Sequence, residues 1–420
     1  MKDTTSNLVT MPGQTKDALT EILKQGAQEL LSQAIQAEVA SYIDRYKSEV
    51  DERSRQLVVR NGYLPEREIQ TPLGQIKVKQ PRVDDRRIDP VTGRKCRFSS
   101  AILPPYLRRT KAIEELLPWL YLKGISTGDF SDALASLLGK NAAGLSPTTI
   151  TRLKSGWAKD HEDWSQRSLV GKRYVYVWAD GVHFNIRLGE DDRMCILVLI
   201  GATADGHKEL IAVESGYRES EMSWKRMLLN LRDRGLEVGP ELAIGDGALG
   251  FWAAIEEVYP KAKRQRCWVH KTANVLDKLP KSKQAEAKKA IHEIYMAETK
   301  VSANLAFDRF IETFGDKYER AAKCLEKNRD DLMNFYDFPA KHWTHIRTTN
   351  PIESMFATVR LRTKRTKGCG STEATLTMVF KLAQSAEKGW RKLRGSKLLA
   401  DVIDARFVFV DGIRRDAIAA

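Results

Sequence analysis

Nine consecutive residues, Met194 to Ala202 (MCILVLIGA), are almost wholly apolar. The run is too short to cross a membrane as a helix and too apolar for a surface helix. It therefore reads as a strand buried on both faces. Such a strand needs neighbours, and the flanking sequence supplies them. Arg173 to Ala179 (RYVYVWA) is rich in Val, Tyr and Trp and reads as a strand ending at Asp180. Glu209 to Val213 is a third. Ser220 is placed to cap a helix to Arg234 that stops at Gly235, Glu241 to Gly245 is a strand ending at Asp246, and Ala248 to Val258 is a helix. Three strands, a helix, a strand and a helix make a mixed sheet flanked by helices.

The rest of the chain reads as mostly helical. Residues 268–340 carry charged helical faces with no strand signal, and 351–366 and 373–393 are two further helices. Near the start, Leu19, Ile22, Leu23, Leu30, Leu31, Ile35, Val39 and Tyr42 recur at helical spacing over 15–46. Residues 66–83 read as a short hairpin turning at Pro72-Leu73-Gly74. Residues 82–109 hold eight Arg/Lys against three Asp, with four prolines from 81 to 105, and are expected to be a basic linker or loop. Ser126, Asp129 and Gly139 punctuate a helix over 127–138, and Ser146 and Pro147 open another over 147–158. The pair resembles a helix-turn-helix offering Thr148, Thr149, Arg152 and Lys154 outward, although plain helix packing fits the same punctuation.

The chain carries 69 Lys and Arg against 55 Asp and Glu, a formal charge of +14 and a pI near 9.4. That excess favours a polyanionic partner. A membrane partner is not expected, because no run approaches the ~18 apolar residues a spanning helix needs. Residues 1–14 have no apolar signal core. Five scattered cysteines give no disulfide framework and suggest a reducing cytosol. The charge is also uneven. Residues 171–260 have 10 basic and 15 acidic side chains, 261–300 have 11 and 4, and 341–370 have 7 and 1. An acidic stretch between basic ones suits a carboxylate-lined cation site with polyanion-binding walls, and ordinary solvated faces give the same counts.

Asp180 and Asp246 each follow a strand and precede a glycine, which is expected to turn the chain sharply and leave the carboxylate at the sheet edge. Singly, Asp-Gly is also a plain turn signal. Glu353 falls in the first turn of a helix that Asn350 would cap and Pro351 open, where it closes a capping box or, as the one acid among seven basic residues, holds a cation. Three hard carboxylates from separate elements suit Mg²⁺ or Mn²⁺. Two such ions about 3.5–4 Å apart serve phosphodiester cleavage. A Walker-type phosphate loop is absent from the sequence. Cys267-x₂-His270 is half a zinc spacing; its other half would be His342 and His345 after 71 intervening residues, far from a compact finger. Cys267 otherwise reads as a strand-end core residue, and His270 as a phosphate contact or a satisfied polar group.

The order Asp180, Asp246, Cys267-x₂-His270, Glu353, with Thr348-Thr349-Asn350-Pro351-Ile352 before the last, resembles the bacterial Mutator-type insertion-sequence transposases. Arg60 to Tyr63 (RNGY), Tyr121 to Thr127 (YLKGIST), Gln265 to Asn274 (QRCWVHKTAN) and Arg360 to Cys369 (RLRTKRTKGC) support the likeness, which runs from about residue 15 to 395. The resemblance implies an α/β catalytic core of RNase H-like type, split by an all-α insertion, after a mainly helical N-terminal DNA-binding region. The expected boundaries are 1–165 for that region, 166–267 and 346–420 for the two parts of the core, and 268–345 for the insertion. A C-terminal helix is expected in the last part. The resemblance also implies that Asp180, Asp246 and Glu353 are both catalytic triad and metal ligands, with Mg²⁺ or Mn²⁺ as cofactor and Cys267 and His270 in support. The activity implied is cutting of element ends and joining of 3′-hydroxyls to target DNA. Expected partners are double-stranded DNA, as terminal inverted repeats and target, and further copies of the chain on DNA, with a cytoplasmic, nucleoid-associated location. Arg266, Lys271, Arg347, Arg360, Arg362, Lys364 and Arg365, with the helix-pair side chains, are the expected DNA contacts.

Overall fold

A computed structural model describes residues 18–113, 120, 122, 147–185, 193–216, 218–247, 249–365 and 371–417. They fall into two compact units, Met1–Arg152 and Leu153–Ala420. Among the described residues, no helix is long and apolar enough to cross a membrane.

Among the described residues, the first unit has the long helix α1 (Ala18–Arg45) and two two-stranded antiparallel sheets. β1 (Val58–Tyr63) pairs with β4 (Pro81–Asp85), and β2 (Arg67–Thr71) with β3 (Gly74–Val78). The β2–β3 hairpin is the one the alternating pattern predicts. Its inward residues Ile69, Ile76 and Val78 join Ile35 of α1 and Leu103 in a small core. The expected basic linker or loop holds over 86–109, which carry no helix or strand, and is corrected at its start. Residues 81–85 are β4, and Arg87 just beyond is held by Asp85 and stacked over Tyr46. Paired carboxylates and tyrosines, rather than apolar side chains, order this stretch, so hydrophobic periodicity misses it. The 127–138 half of the expected helix pair lies outside the described residues. The other half is α2 (Pro147–Ser165).

The second unit is built on a five-stranded sheet ordered β7-β6-β5-β8-β9. β5 (Tyr174–Asn185), β6 (Arg193–Thr203) and β7 (Lys208–Gly216) are antiparallel neighbours, while β8 (Leu242–Gly245) and β9 (Lys263–Arg266) run parallel to β5. Between β7 and β9 lie α3 (Glu221–Asp233), capped by Ser220, and α4 (Leu249–Val258). Trp224, Met227, Leu228 and Leu231 of α3, with Phe251 and Ile255 of α4, form a core with Val177, Leu197, Leu199 and Ile211 of the sheet. The mixed sheet flanked by helices is thus as expected.

After β9 the chain is helical: α5 (Trp268–Leu276), α6 (Lys281–Met296), α7 (Lys300–Phe314), α8 (Glu319–Glu326), α9 (Arg329–Met333) and α10 (Trp343–Ile346), with 3₁₀ turns before α10. Then α11 (Asn350–Arg365) packs on β5 and β6, and α12 (Thr372–Glu387), capped by Ser371, packs on β7. The C-terminal helix expected over 373–393 is thus α12, ending at Glu387; beyond it, where no element was expected, come the five-residue α13 (Leu399–Ile403) and a hairpin of β10 (Phe407–Val410) and β11 (Ile413–Asp416). Asp411 and Gly412, both at positive φ, make its turn.

Candidate active site

β5 keeps its antiparallel ladder with β6 through Asn185, but its parallel ladder with β8 ends at the pair Ala179–Gly245. Asp180 and Asp246 are the next residues on those two neighbouring strands, where the chains part. Strand carboxyl ends of this kind collect functional groups in α/β sheets. Asp180 therefore lies within its strand, opposite Val198, and not after it as expected. Gly181 does not turn the chain there. Asp246 does follow its strand.

Asp180 is buried, 8% exposed. Burial pushes its carboxyl up to about 7; His270 opposes the shift, and Glu219 and Asp246 add to it. One oxygen accepts the Gly181 N–H at 2.9 Å. Asp246 is held in the same way, Oδ1 accepting the Gly247 N–H at 2.5 Å.

Glu353 comes from the first turn of α11, whose opening main-chain bonds run from Ile352 and Glu353 N–H to the Thr349 carbonyl. Thr349 Oγ1 donates to Glu353 Oε1 at 3.1 Å. His270, on α5, stands between the carboxylates, Nδ1 at 4.0 Å from Asp246 and Nε2 at 3.6 Å from Glu353. Its pKa is raised to about 9, first by a hydrogen bond with Cys267, against the opposing effect of burial, and further by Asp246 and Asp180.

Cys267 fastens these pieces together. Its N–H donates to the Gly245 carbonyl at 2.8 Å, next to Asp246, and its Sγ accepts the Thr349 N–H at 3.4 Å and lies 3.4 Å from Thr349 Oγ1. The C-x₂-H spacing thus places Cys267 at the end of β9 and His270 on the first turn of α5, facing the carboxylates. The zinc half-sites do not join. His342 is bonded to the Tyr176 hydroxyl and the Gly395 carbonyl, and His345 Nε2 accepts the Arg394 N–H at 3.3 Å.

The expected DNA contacts divide. Lys271 is 1% exposed, and its ammonium donates to the Cys324 carbonyl and to Asn328, so it is an internal strut. Burial lowers its pKa to about 8. Arg266 also donates to Asn328 and fills the space where a Cβ on Gly247 would be. Arg347 donates to the Tyr295 carbonyl at 2.7 Å and lies over the Tyr295 ring. Arg360 is exposed on α11. The side chains of Arg362, Lys364 and Arg365, and of Thr148, Thr149, Arg152 and Lys154, lie outside the described part of the structure.

One further acid stands at the site that the sequence reading passes over. Glu219, just before α3, is a half-buried carboxylate whose pKa is raised by burial first, opposed by His183 and increased by Asp246. In the sequence it is one of several acids around the Ser220 cap, and nothing in the local pattern separates it from Glu221.

The model of the Mutator family of transposases matches residues 2–393. The transposase of insertion sequence element IST2 from Acidithiobacillus ferrooxidans is 50% identical over 289 residues, 67% of this chain and 95% of its own. That of IS6120 from Mycolicibacterium smegmatis is 49% identical over 300 residues, 71% and 92% of the two chains. Among solved structures, the Drosophila P element transposase strand transfer complex covers 69% of this chain and 84% of its own at 9% identity and a TM-score of 0.29, too slight a likeness to argue from. With the family match running over nearly its whole length, this chain belongs to the Mutator family of transposases.

Proposed function

We propose that the chain is a metal-dependent DNA transposase of the Asp-Asp-Glu type, with an RNase H-like core, that cuts insertion-sequence ends and joins their 3′-hydroxyls to target DNA. The observation that carries this reading is the convergence of Asp180, Asp246 and Glu353 from three elements on one sheet end, around His270.

The donor set fits Mg²⁺ or Mn²⁺. Each carboxylate is oriented through one oxygen, by Gly181 N–H, Gly247 N–H or Thr349 Oγ1, and its second oxygen is the one a hard cation would take. A bound divalent pair supplies activation of a water or hydroxyl and neutralisation of charge on the phosphodiester. The remaining work belongs to the protein. Cys267 and Thr349 fix the spacing between the Asp246 strand and the Glu353 helix. His270, cationic below about pH 9, offsets the carboxylate charge and is placed to meet a phosphate oxygen. Double-stranded DNA is the partner, read as terminal repeats and as target.

The test is purified protein on labelled element ends with Mg²⁺. Nicked ends and strand-transfer products are expected, and both should vanish with EDTA. Products that persist in EDTA, or DNA binding with no cleavage at any Mg²⁺ concentration, would overturn the reading.

A further inference from the structure

We infer that Glu219 is a fourth carboxylate of the metal site, brought in against Gly181, next to Asp180, by the close approach that Gly181 and Gly250 allow. The inference rests on the proposed reading of Asp180, Asp246 and Glu353 as metal ligands.

Gly181 immediately follows Asp180. A Cβ added there would stand 2.6 Å from Cγ, Cδ and Oε1 of Glu219. The Glu219 carboxyl therefore lies directly against the main chain beside Asp180. Gly250 lies four residues after Asp246, in the first turn of α4. A Cβ there would collide with the Glu219 carbonyl oxygen and come within 2.6 Å of Glu221 N. One glycine admits the Glu219 side chain and the other admits its main chain; Gly181 is on the strand that bears Asp180, and Gly250 opens the helix that follows Asp246. Neither has φ in the left-handed region, so turn geometry accounts for neither; close approach accounts for both.

The side chain is poorly matched for a structural ion pair. It is 22% exposed, and its ion pair is with His183 Nε2 at 3.5 Å, an imidazole that is itself 53% exposed. Its electrostatic neighbours include both Asp180 and Asp246. A carboxylate brought into a cluster of like charge is stabilised by a cation there. The competing assignment joins Glu219 to His183 and Cys195, whose donor atoms lie within 4.8 Å of one another, as a separate site for a softer metal.

The experiment compares full-length wild type, Glu219→Gln, Gly181→Ala and Asp180→Asn in two assays. One counts Mn²⁺ bound to the protein alone, by the loss of the free-ion electron paramagnetic resonance signal. The other follows cleavage of labelled ends against Mg²⁺ concentration. Retained duplex binding serves as the check that each variant folds. Glu219→Gln is expected to weaken Mn²⁺ binding about 10–100-fold and to raise the Mg²⁺ needed for half-maximal cleavage by a similar factor. Gly181→Ala, which pushes the Glu219 side chain aside without removing its charge, should show the same defect. If Glu219→Gln and Gly181→Ala bind Mn²⁺ like wild type while Asp180→Asn does not, Glu219 is outside the site and the inference falls alone. If Asp180→Asn also binds normally, the triad reading falls with it. A Glu219→Gln defect confined to Zn²⁺ and shared by Cys195→Ala would overturn the inference in favour of the softer-metal site.

Discussion

Asp85 in the first unit and Asp180 in the second are both strand carboxylates and both almost fully buried, 3% and 8% exposed. Their surroundings are opposite. Asp85 accepts from the Tyr42 hydroxyl at 2.7 Å and from the Arg87 guanidinium at 2.8 and 3.0 Å, and Arg87 holds its pKa down at about 2. Asp180 has its own neighbour's N–H, further carboxylates and an imidazole, and its pKa stands at about 7. Burial alone therefore does not mark a functional carboxylate. Burying a charge is costly unless it is paired. Asp85 is paired internally and serves the scaffold, whereas Asp180 keeps a buried carboxyl without a cationic side chain bonded to it, where the β5–β8 ladder ends.

The largest expected effect separates the two by activity. Asp180→Asn, Asp246→Asn and Glu353→Gln should each lower cleavage by more than about a hundredfold, some 2.7 kcal/mol of barrier, with duplex binding retained. Asp85→Asn should leave the chemistry per folded molecule unchanged. A triad variant that cleaves within about tenfold of wild type is not a ligand variant.

Stability should move in opposite directions. Asp85→Asn removes the buried carboxylate of Arg87, leaving it the half-exposed Glu49 at 3.6 Å, and should destabilise the first unit by about 3 kcal/mol, read from denaturant unfolding of the full chain. Asp180→Asn removes a buried charge and should raise the melting temperature of the metal-free protein. Similar losses from both substitutions would erase the distinction drawn here.

The pH dependence sharpens it. The folded pKa of Asp180 is above its ordinary 3.8, so its contribution is most favourable below about pH 4 and is lost as pH rises to about 7. Asp85 is depressed, so its contribution is present above its ordinary 3.8 and is lost as pH falls toward 2. His270 is raised to about 9, so its stabilisation is complete below 6.5 and is lost as pH climbs through 9. Metal-free melting curves should show all three. Asp180→Asn should flatten the segment between pH 4 and 7, and no change there would contradict the assignment.

The smallest effect concerns the basic residues. Duplex affinity should fall steeply with salt, and Arg360→Ala should reduce the log–log slope by about 1 if it contacts a phosphate. Lys271→Ala should leave that slope unchanged and lower stability instead, because its ammonium is held internally by Cys324 and Asn328.

What the sequence shows is set by which forces leave a pattern. The apolar strands of the central sheet and the cap at Ser220 are legible because burial and capping select residue types at fixed spacing. β9 (KRQR) is not legible, since it is a polar edge strand whose one fully buried residue, Gln265, is satisfied by hydrogen bonds to Leu332 and Phe335. β4 is hidden for a similar reason. The hairpin at Asp411-Gly412 does carry a turn signal, between FVFV and IRRD, in a stretch where no element was expected. At the site, Asp246 and Glu353 stand at the strand end and helix start that the sequence marks, whereas Asp180 lies inside β5, whose continuation past the Asp-Gly step the sequence does not show. Glu219 was not legible, because two glycines distant in sequence define its place. Lys271 was misread because charge counting cannot tell a surface ammonium from a buried one.

The central claim is that Asp180, Asp246 and Glu353 share divalent ions. Anomalous diffraction from crystals of the full chain soaked in Mn²⁺ tests it most directly. The account predicts strong peaks about 2–2.5 Å from carboxylate oxygens of all three residues. Peaks elsewhere, or none at Mn²⁺ concentrations that support cleavage, would contradict it.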